Sequence, residues 1–228
     1  MRNRRPARKV NLTASVMGRN DLLASRNRDG LRSEGIFTVN LISSPGAGKT
    51  TLLEALARRF GRSMAVIEGD VRTRRDAERV EQAGSRAHQI ETGGSCHLDA
   101  GAVGKAIGQL DLPGSDVKLL VIENVGNLIC PSGYDLSEDI KVGILSVPEG
   151  DDKVLKYPSL FSRISVLLVS KTDLLPHLDF DVERAVRECR SLNPDVEVFR
   201  ISARTGDGME DFFSFLAGSA GLDGENGP

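Results

Sequence analysis

Aromatic residues are scarce in this chain of 228 residues, which has no tryptophan, two tyrosines and 4% aromatic residues in all. Proteins that bind single-stranded nucleic acid use aromatic side chains as stacking platforms. The formal net charge is −2, so the chain has no overall positive field to attract nucleic acid or an anionic membrane. We therefore predict neither as a partner. A nucleic-acid-binding ATPase remains an alternative function, and the basic N-terminus is the only feature that favours it.

Cysteines and long apolar runs are also scarce. The three cysteines are odd in number and widely spaced, which does not make a disulfide framework. No apolar run reaches the ~18 residues that a transmembrane helix needs. Together with the nucleotide-binding motifs described below, these absences predict a reducing, cytoplasmic setting.

The domain organisation follows from length and charge. The length and the 39% hydrophobic content suit one folded domain. Residues 1–32 hold nine Lys and Arg against two acids, and the last residues are rich in Gly and Ser. We predict a basic flexible tail over 1–19, one domain over 20–217 and a flexible tail over 218–228.

Apolar runs alternate with helical patterns along the domain, which is typical of a parallel sheet with helices on both faces. The predicted fold class is α/β, a P-loop NTPase with a mostly parallel sheet of about seven strands. Strands are expected near 36–43, 63–68, 86–90, 117–123, 140–147, 164–170 and 196–201, and helices near 11–35, 50–60, 73–83, 98–109, 181–191 and 208–217.

A glycine-rich loop joins the first strand to the next helix and reads SSPGAGKTT over residues 43–51. Its backbone N–H groups and the helix N-terminus favour a polyphosphate. Lys49 would reach the β- and γ-phosphates and Thr50 would bind magnesium. Ser43 stands where the general pattern has Gly, and an ordinary Gly-rich turn is the alternative. The nucleotide-binding residues predicted here are Ser44, Gly46, Ala47, Gly48, Lys49, Thr50 and Thr51.

Two later strand ends predict that the base is guanine. Ser170-Lys171-Thr172-Asp173 fits the Asn-Lys-x-Asp pattern of GTPases with Ser for Asn. The Asp173 carboxylate can accept two hydrogen bonds that guanine donates and adenine does not. Ser202 and Ala203, before Arg204, resemble the Ser-Ala-Lys loop that contacts guanine. The alternative for Lys171 and Asp173 is a solvated turn.

Two acids that end strands are candidates for catalysis. Glu123 is followed by Asn124-Val125-Gly126 and fits the Asp-x-x-Gly pattern with Glu for Asp, so Gly126 could sense the γ-phosphate. Asp70 ends another strand, and both acids could instead cap helices. We predict Thr50, Asp70 and Glu123 as magnesium ligands and Lys49, Asp70 and Glu123 as catalytic residues. No residue is an evident base for the attacking water, so slow hydrolysis is expected.

Cys96, His97 and Cys130 offer two thiolates and an imidazole. Zinc takes four such ligands in a closed site, and nickel also accepts nitrogen and sulfur. One chain is short of a full set, so the site would either stay open or be shared by two chains. A purely structural role for the two cysteines and His97 is the alternative.

Five blocks together resemble the HypB family, the nickel-incorporation GTPases of hydrogenase and urease that belong to the SIMIBI class. The most specific are Cys96-His97-Leu98-Asp99-Ala100 and Glu123-Asn124-Val125-Gly126-Asn127-Leu128-Ile129-Cys130-Pro131, and the others lie over residues 40–53, 68–70 and 149–158. The likeness runs from about residue 20 to about residue 216. Ser43 fits this family, whereas Val154 stands where Pro is usual.

The resemblance implies a GTP-hydrolysing metallochaperone with GTP, magnesium, nickel and zinc as ligands. It implies that Cys96, His97 and Cys130 bind nickel or zinc, that GTP drives homodimerisation, and that nickel reaches a hydrogenase large subunit with a HypA-type partner. Two alternatives remain: a urease-type GTPase chaperone, which has a Cys-Pro-His arrangement, and a metal-storage protein that binds nucleotide without relevant turnover.

Overall fold

The computed structural model describes residues 12–70 and 75–222, without the side chains of residues 12–16 and of Asp70. The strands are β1 (Phe37–Ser43), β2 (Met64–Asp70), β3 (Arg86–Glu91), β4 (Leu119–Glu123), β5 (Ile140–Ser146), β6 (Val166–Ser170) and β7 (Glu197–Ile201). The helices are α1 (Leu12–Ser33), α2 (Lys49–Phe60), α3 (Arg75–Gln82), α4 (Ala100–Leu110), α5 (Lys153–Lys156), α6 (Pro158–Phe161), α7 (Val182–Leu192) and α8 (Met209–Ala220). The 3-10 turns are Gly61–Ser63, Cys130–Gly133, Val147–Glu149 and Thr172–His177.

The strands form one sheet in the order β3-β2-β4-β1-β5-β6-β7. Every pairing is parallel, including those of β1 with β4 and with β5. The predicted parallel sheet of seven strands is therefore confirmed. Since the strands run the same way, their carboxyl ends share one edge, where open α/β sheets bind their ligands.

Alternate residues of the central strands face opposite sides of the sheet. Val166 and Leu168 pack in one core cluster with α2 and α8, whereas Leu167 and Val169 pack in a second with α6 and α7. A third cluster joins β2 and β4 to α1 and α4. Helices thus cover both faces, as predicted, and hold the carboxyl edge of the sheet in place.

The helices at the two ends of the domain differ in how they match the predictions. Helix α1 agrees with the helix predicted near 11–35, so the segment 1–19 predicted as a tail is helical from Leu12 on, and residues 1–11 lie outside the described part. Helix α8 continues to Ala220 rather than stopping at 217, because Ala217 and Ala220 still pack in the core. Residues 223–228 of the predicted C-terminal tail also lie outside the described part.

Helix α4 forms despite its three glycines. The carboxylate of Asp99 caps its start by accepting a hydrogen bond from the Ala102 N–H at 2.8 Å. The short helices α5 and α6 were not predicted, because four residues are too few to show a helical period. None of the helices in the described ranges is long and apolar enough to span a bilayer.

Candidate nucleotide and metal sites

The glycine-rich loop leaves the central strand β1 and leads directly into α2. Gly46 and Gly48 have φ of 76° and 99°, the left-handed region that disfavours a Cβ. Ser43 is not among the residues with positive φ. Its hydroxyl donates to the Ser44 carbonyl at 2.8 Å and accepts from Lys49 Nζ at 3.0 Å. A serine is therefore tolerated where the general pattern has glycine, and it holds the lysine of the loop.

Lys49 is 9% exposed and lies in a groove at the carboxyl edge of the sheet. Its Nζ is 3.8 Å from Glu123 Oε1 at the end of β4. The lysine and the strand-terminal carboxylate therefore face the same space. This arrangement places a positive charge for phosphate oxygens beside an acid that can bind a divalent cation.

The groove has a volume of about 530 Å³ and is bounded by the glycine-rich loop and the ends of β2 and β4. Glu68, which was not predicted as a site residue, also lines it. Ser44 is not among its lining residues and contributes its carbonyl within the loop instead. Asp70 ends β2 at this edge, and its side chain lies outside the described part. The predicted residues that line the groove are Gly46, Gly48, Lys49, Thr50, Thr51, Glu123, Gly126 and Lys171.

A second cavity of about 310 Å³ adjoins the groove and shares Gly48, Thr51 and Lys171 with it. Asp173, Ser202 and Ala203 line this cavity, as the guanine prediction requires. Asp173 Oδ1 accepts a hydrogen bond from Ser202 Oγ at 2.7 Å, and its Oδ2 lies 3.9 Å from the Arg204 guanidinium. The carboxylate is thus oriented before any base is bound.

Two further contacts tie this cavity to the glycine-rich loop. Lys171 has φ of 59°, and its Nζ donates to the Gly46 carbonyl at 2.6 Å. Ser170 Oγ donates to the Ala47 carbonyl at 3.0 Å, in a buried position. Ser170 replaces the Asn of the usual motif and here connects the base end of the site to its phosphate end.

The predicted metal ligands lie on two loops that meet near the end of β4. The neighbouring Cys130 thiol raises the pKa of the Cys96 thiol, so the two cysteine side chains lie near each other. Cys96 Sγ is 3.5 Å from His97 Nδ1. Sulfur and nitrogen ligands of one tetrahedral zinc ion, at about 2.3 and 2.1 Å from it, lie about 3.6 Å apart. The spacing of Cys96 and His97 therefore suits a shared ion.

The metal site is nevertheless incomplete in one chain. In the part of the chain that the structure describes, no group of three or more Cys, His, Asp and Glu side chains is arranged to hold a metal ion. Cys96 is exposed and Cys130 is partly exposed, whereas Cys189 is buried in the core. Within the described part of one chain, Cys96, His97 and Cys130 therefore do not by themselves form a group of three that could hold a metal ion.

A short segment, residues 124–130, connects the groove to the thiols. Asn124 is fully buried, lines the groove, and accepts a hydrogen bond from the Leu98 N–H at 3.3 Å. Asn127 Nδ2 donates to the Cys96 carbonyl at 3.4 Å. A Cβ at Gly126 would lie 3.0 Å from the Pro45 nitrogen, so this segment also packs closely on the glycine-rich loop. Sequence patterns gave no sign of the contacts of Asn124 and Asn127, because each joins segments far apart in the chain.

The parallel sheet, the glycine-rich loop and the flanking strand-end residues define a P-loop nucleotide-binding protein. In keeping with this class, the profile of the family "CobW/HypB/UreG, nucleotide-binding domain" matches residues 37–200. The hydrogenase maturation factor HypB of Azotobacter chroococcum mcd 1 is 50% identical over 212 residues, 92% of this chain and 69% of the relative.

Two further comparisons agree. The hydrogenase/urease maturation factor HypB of Helicobacter pylori (strain 26695) is 41% identical over 209 residues, 91% of this chain and 86% of the relative. The crystal structure of HypB from Helicobacter pylori in complex with nickel has a TM-score of 0.84 and 40% identity, and the match covers 92% of this chain and 99% of that one. The chain belongs to the HypB family.

Proposed function

We propose that this protein is a GTP-hydrolysing metallochaperone that binds nickel or zinc and delivers nickel during the maturation of a [NiFe]-hydrogenase. One observation carries the proposal: a groove with the chemistry to hold GTP and a pair of cysteines are joined by residues 124–130. Membership of the HypB family supports hydrogenase maturation as the setting.

GTP is the nucleotide that the groove and cavity favour. The carboxylate of Asp173, already oriented by Ser202, would accept hydrogen bonds from N1–H and the 2-amino group of guanine. The stem of Lys171 would cover the base plane, since its ammonium is held by the Gly46 carbonyl. Adenine lacks the donor pair, so with ATP bound the partly buried Asp173 carboxylate would accept no hydrogen bonds from the base.

Hydrolysis would depend on charge placed around the phosphates. Lys49 would neutralise the β- and γ-phosphates, and Thr50, Asp70 and Glu123 would hold magnesium directly or through water. A magnesium ion here would polarise the γ-phosphate and offset developing charge. Because the sequence offers no evident base for water, turnover is expected to be slow.

Nickel or zinc would bind at Cys96, His97 and Cys130. The relative of known structure was crystallised in complex with nickel, and nickel accepts this mixture of sulfur and nitrogen ligands. Since one chain lacks a closed ligand shell, we propose that two chains share the site in a homodimer formed in the presence of GTP. A HypA-type metallochaperone and a hydrogenase large subunit are the proposed partners.

Urease maturation is a second candidate function, because the Helicobacter pylori relative is named a hydrogenase/urease maturation factor. The two functions are distinguished by adding the nickel-loaded protein, GTP and magnesium to either apo-hydrogenase large subunit or apo-urease. Activation of the hydrogenase subunit alone would support the first function, and activation of urease alone would replace it.

The metal site is tested by titrating purified protein with Ni²⁺ and Zn²⁺ and comparing the wild type with Cys96→Ala and Cys130→Ala. Removing either thiolate should weaken binding about 100-fold or more, because a lost ligand also leaves the shell open. Cys189→Ala is the matched control, since Cys189 is buried away from the site and should leave affinity unchanged. Equal affinity in all four proteins would contradict the proposed site.

Coupling between GTP and metal is tested by measuring nickel affinity with GDP and with a non-hydrolysable GTP analogue. A γ-phosphate that draws on Gly126 would shift Cys130 in the same segment, so the two affinities should differ. Identical affinities would rule out the coupling. A protein that binds GTP without any magnesium-dependent turnover would instead be a metal-storage protein.

A further inference from the structure

We propose that Tyr134 is a positioning residue for His97: its ring fixes the plane of the imidazole, and within that plane the Cys96 contact makes Nδ1 the nitrogen that binds the metal. The ring centroids of His97 and Tyr134 are 3.9 Å apart and the ring planes differ by 32°. Such a close contact over the ring face fixes the plane and the tilt of the imidazole. The inference rests on the proposed metal site at Cys96, His97 and Cys130.

The stack and the neighbouring thiol act on different degrees of freedom of the imidazole. Stacking on Tyr134 fixes the ring plane and disfavours other rotamers of His97. It does not by itself distinguish a ring turned by 180° within that plane. The contact of 3.5 Å between Cys96 Sγ and His97 Nδ1 makes this distinction, because a C–H edge cannot pair with the thiol. Together they present Nδ1 to the site, and a metal bound at Nδ1 would leave the proton on Nε2.

Tyr134 is itself held firmly by the backbone around it. Its N–H donates to the Pro131 carbonyl at 3.2 Å, and its carbonyl accepts from Lys141 Nζ at 3.0 Å. The ammonium of Lys141 also lies 3.2 Å from Glu138 Oε1. The Tyr134 side chain packs on the core cluster between β4 and α4. A ring anchored in this way can serve as a template for a neighbour on another loop.

The position of Tyr134 in the chain makes it a link between the two metal-binding loops. Tyr134 directly follows the 3-10 turn Cys130–Gly133, which begins with Cys130, so the two residues lie at opposite ends of one short turn. His97 lies on the other loop, next to Cys96. The stack therefore sets the imidazole against Cys130 as well as against Cys96, and a movement of the turn would carry both contacts together.

The test uses ¹¹³Cd²⁺ as a spin-active substitute for Zn²⁺ and protein labelled with ¹⁵N in histidine. Wild type should show ¹¹³Cd–¹⁵N coupling at Nδ1 of His97. Tyr134→Phe keeps the stacked ring and should keep this signature and the affinity. Tyr134→Leu should bind Cd²⁺ about tenfold more weakly, the lower end of the range for lost outer-shell partners, and should show coupling at Nε2 or at both nitrogens. Tyr157→Leu removes the other tyrosine and should behave as wild type.

Coupling at Nε2 in wild type would overturn the inference even if Tyr134→Leu failed to fold. Unchanged affinity and unchanged Nδ1 coupling in a folded Tyr134→Leu protein would also overturn it. Neither of these two results would contradict the proposed metal site. A third outcome would contradict both the proposed metal site and the inference. In it, His97 of the wild type shows no coupling to ¹¹³Cd, and Cys130→Ala leaves the Cd²⁺ affinity of the protein unchanged.

Discussion

The base end of the nucleotide site and the metal-binding loops differ in how complete they are within one chain. At the base end, Asp173, Lys171 and Ser170 all have hydrogen-bond partners that hold them in place. At the metal end, Cys96 is exposed, and its thiol contacts His97 Nδ1 at 3.5 Å, so its partner is a ligand of the same proposed site. The side chains of the base end are therefore held in place by other protein groups, whereas the Cys96 thiol at the metal end contacts another ligand of its own site.

This difference determines how much each site must be ordered when its ligand binds. A preoriented site pays little for ordering its side chains, so GTP binding need not require a second chain. An incomplete ligand shell gains affinity only when another group completes it. Under the proposed function, the metal end would respond to assembly and to the nucleotide, whereas the base end would select which nucleotide is bound.

Lys49→Ala is the strongest test of the nucleotide end. Removing the buried ammonium between Ser43 and Glu123 should lower kcat/KM for GTP about 100- to 1,000-fold, because it would stabilise charge that develops on the phosphates. Steady-state phosphate release measures the effect. Lys105→Ala, on α4 outside the groove, is the matched control.

Metal affinity in the absence of nucleotide should be unchanged in Lys49→Ala, since the lysine does not contact the thiols. If nickel affinity fell as far as GTP turnover in this variant, the nucleotide end and the metal end would not bind their ligands independently, which contradicts the difference drawn between them.

Asp173→Asn should change which base is bound. The variant loses two charge-assisted hydrogen bonds to guanine, so GTP affinity should fall about 100-fold. An amide can donate to the C2 carbonyl of xanthine, and XTP should therefore bind the variant better than GTP does. Competition with a fluorescent nucleotide measures both. GTP binding that survives the change unaltered would show that the base lies elsewhere.

Local patterns in the sequence predicted the fold and the residues of the glycine-rich loop. Strands such as β4 and β6 are buried apolar runs of usual length, and residues 43–51 form one contiguous motif between a strand and a helix. Such signals are local, so they need no knowledge of the tertiary structure. The positions of Lys49 and of Asp173 in adjoining cavities follow from the shared carboxyl edge of a parallel sheet.

The contacts that join the two ends could not be predicted in this way. Asn124 bonds to Leu98 from 26 residues away, and Tyr134 stacks on His97 from a different loop. Neither pair has a spacing that a helix or strand period would reveal. The helix end at Ala220 was missed for a related reason, because tertiary packing overrides the weak helix propensity of a segment rich in Gly and Ser.

Gly126→Ala tests the contact between the connecting segment and the glycine-rich loop. The added methyl would lie 3.0 Å from the Pro45 nitrogen, so one of the two backbones must shift. We expect about tenfold weaker binding of a GTP analogue, with GDP affected less because it lacks the γ-phosphate. Gly108→Ala, where a methyl meets nothing within 4 Å, is the control. An equal loss for both nucleotides would remove Gly126 as a γ-phosphate sensor.

Asn124→Ala should have the smallest effect on either ligand alone and should reduce the coupling between them. The side chain lies at the groove and accepts from the Leu98 N–H, directly after Cys96 and His97. Losing this bond leaves one buried donor unpaired, at a cost of about 1–3 kcal/mol in stability. The ratio of nickel affinities with the GTP analogue and with GDP should fall toward one, from the roughly fivefold or greater value that an allosteric link produces. Asn124→Asp keeps the oxygen that accepts from Leu98 but loses the hydrogen bond that Nδ2 donates to Asn40 Oδ1 at 3.4 Å, so a ratio preserved in this variant would assign the coupling to the Leu98 bond. If Asn124→Ala is folded and the ratio is unchanged, the nucleotide acts on the thiols through Gly126 and Cys130 alone, and the Asn124 bond only supports the loop.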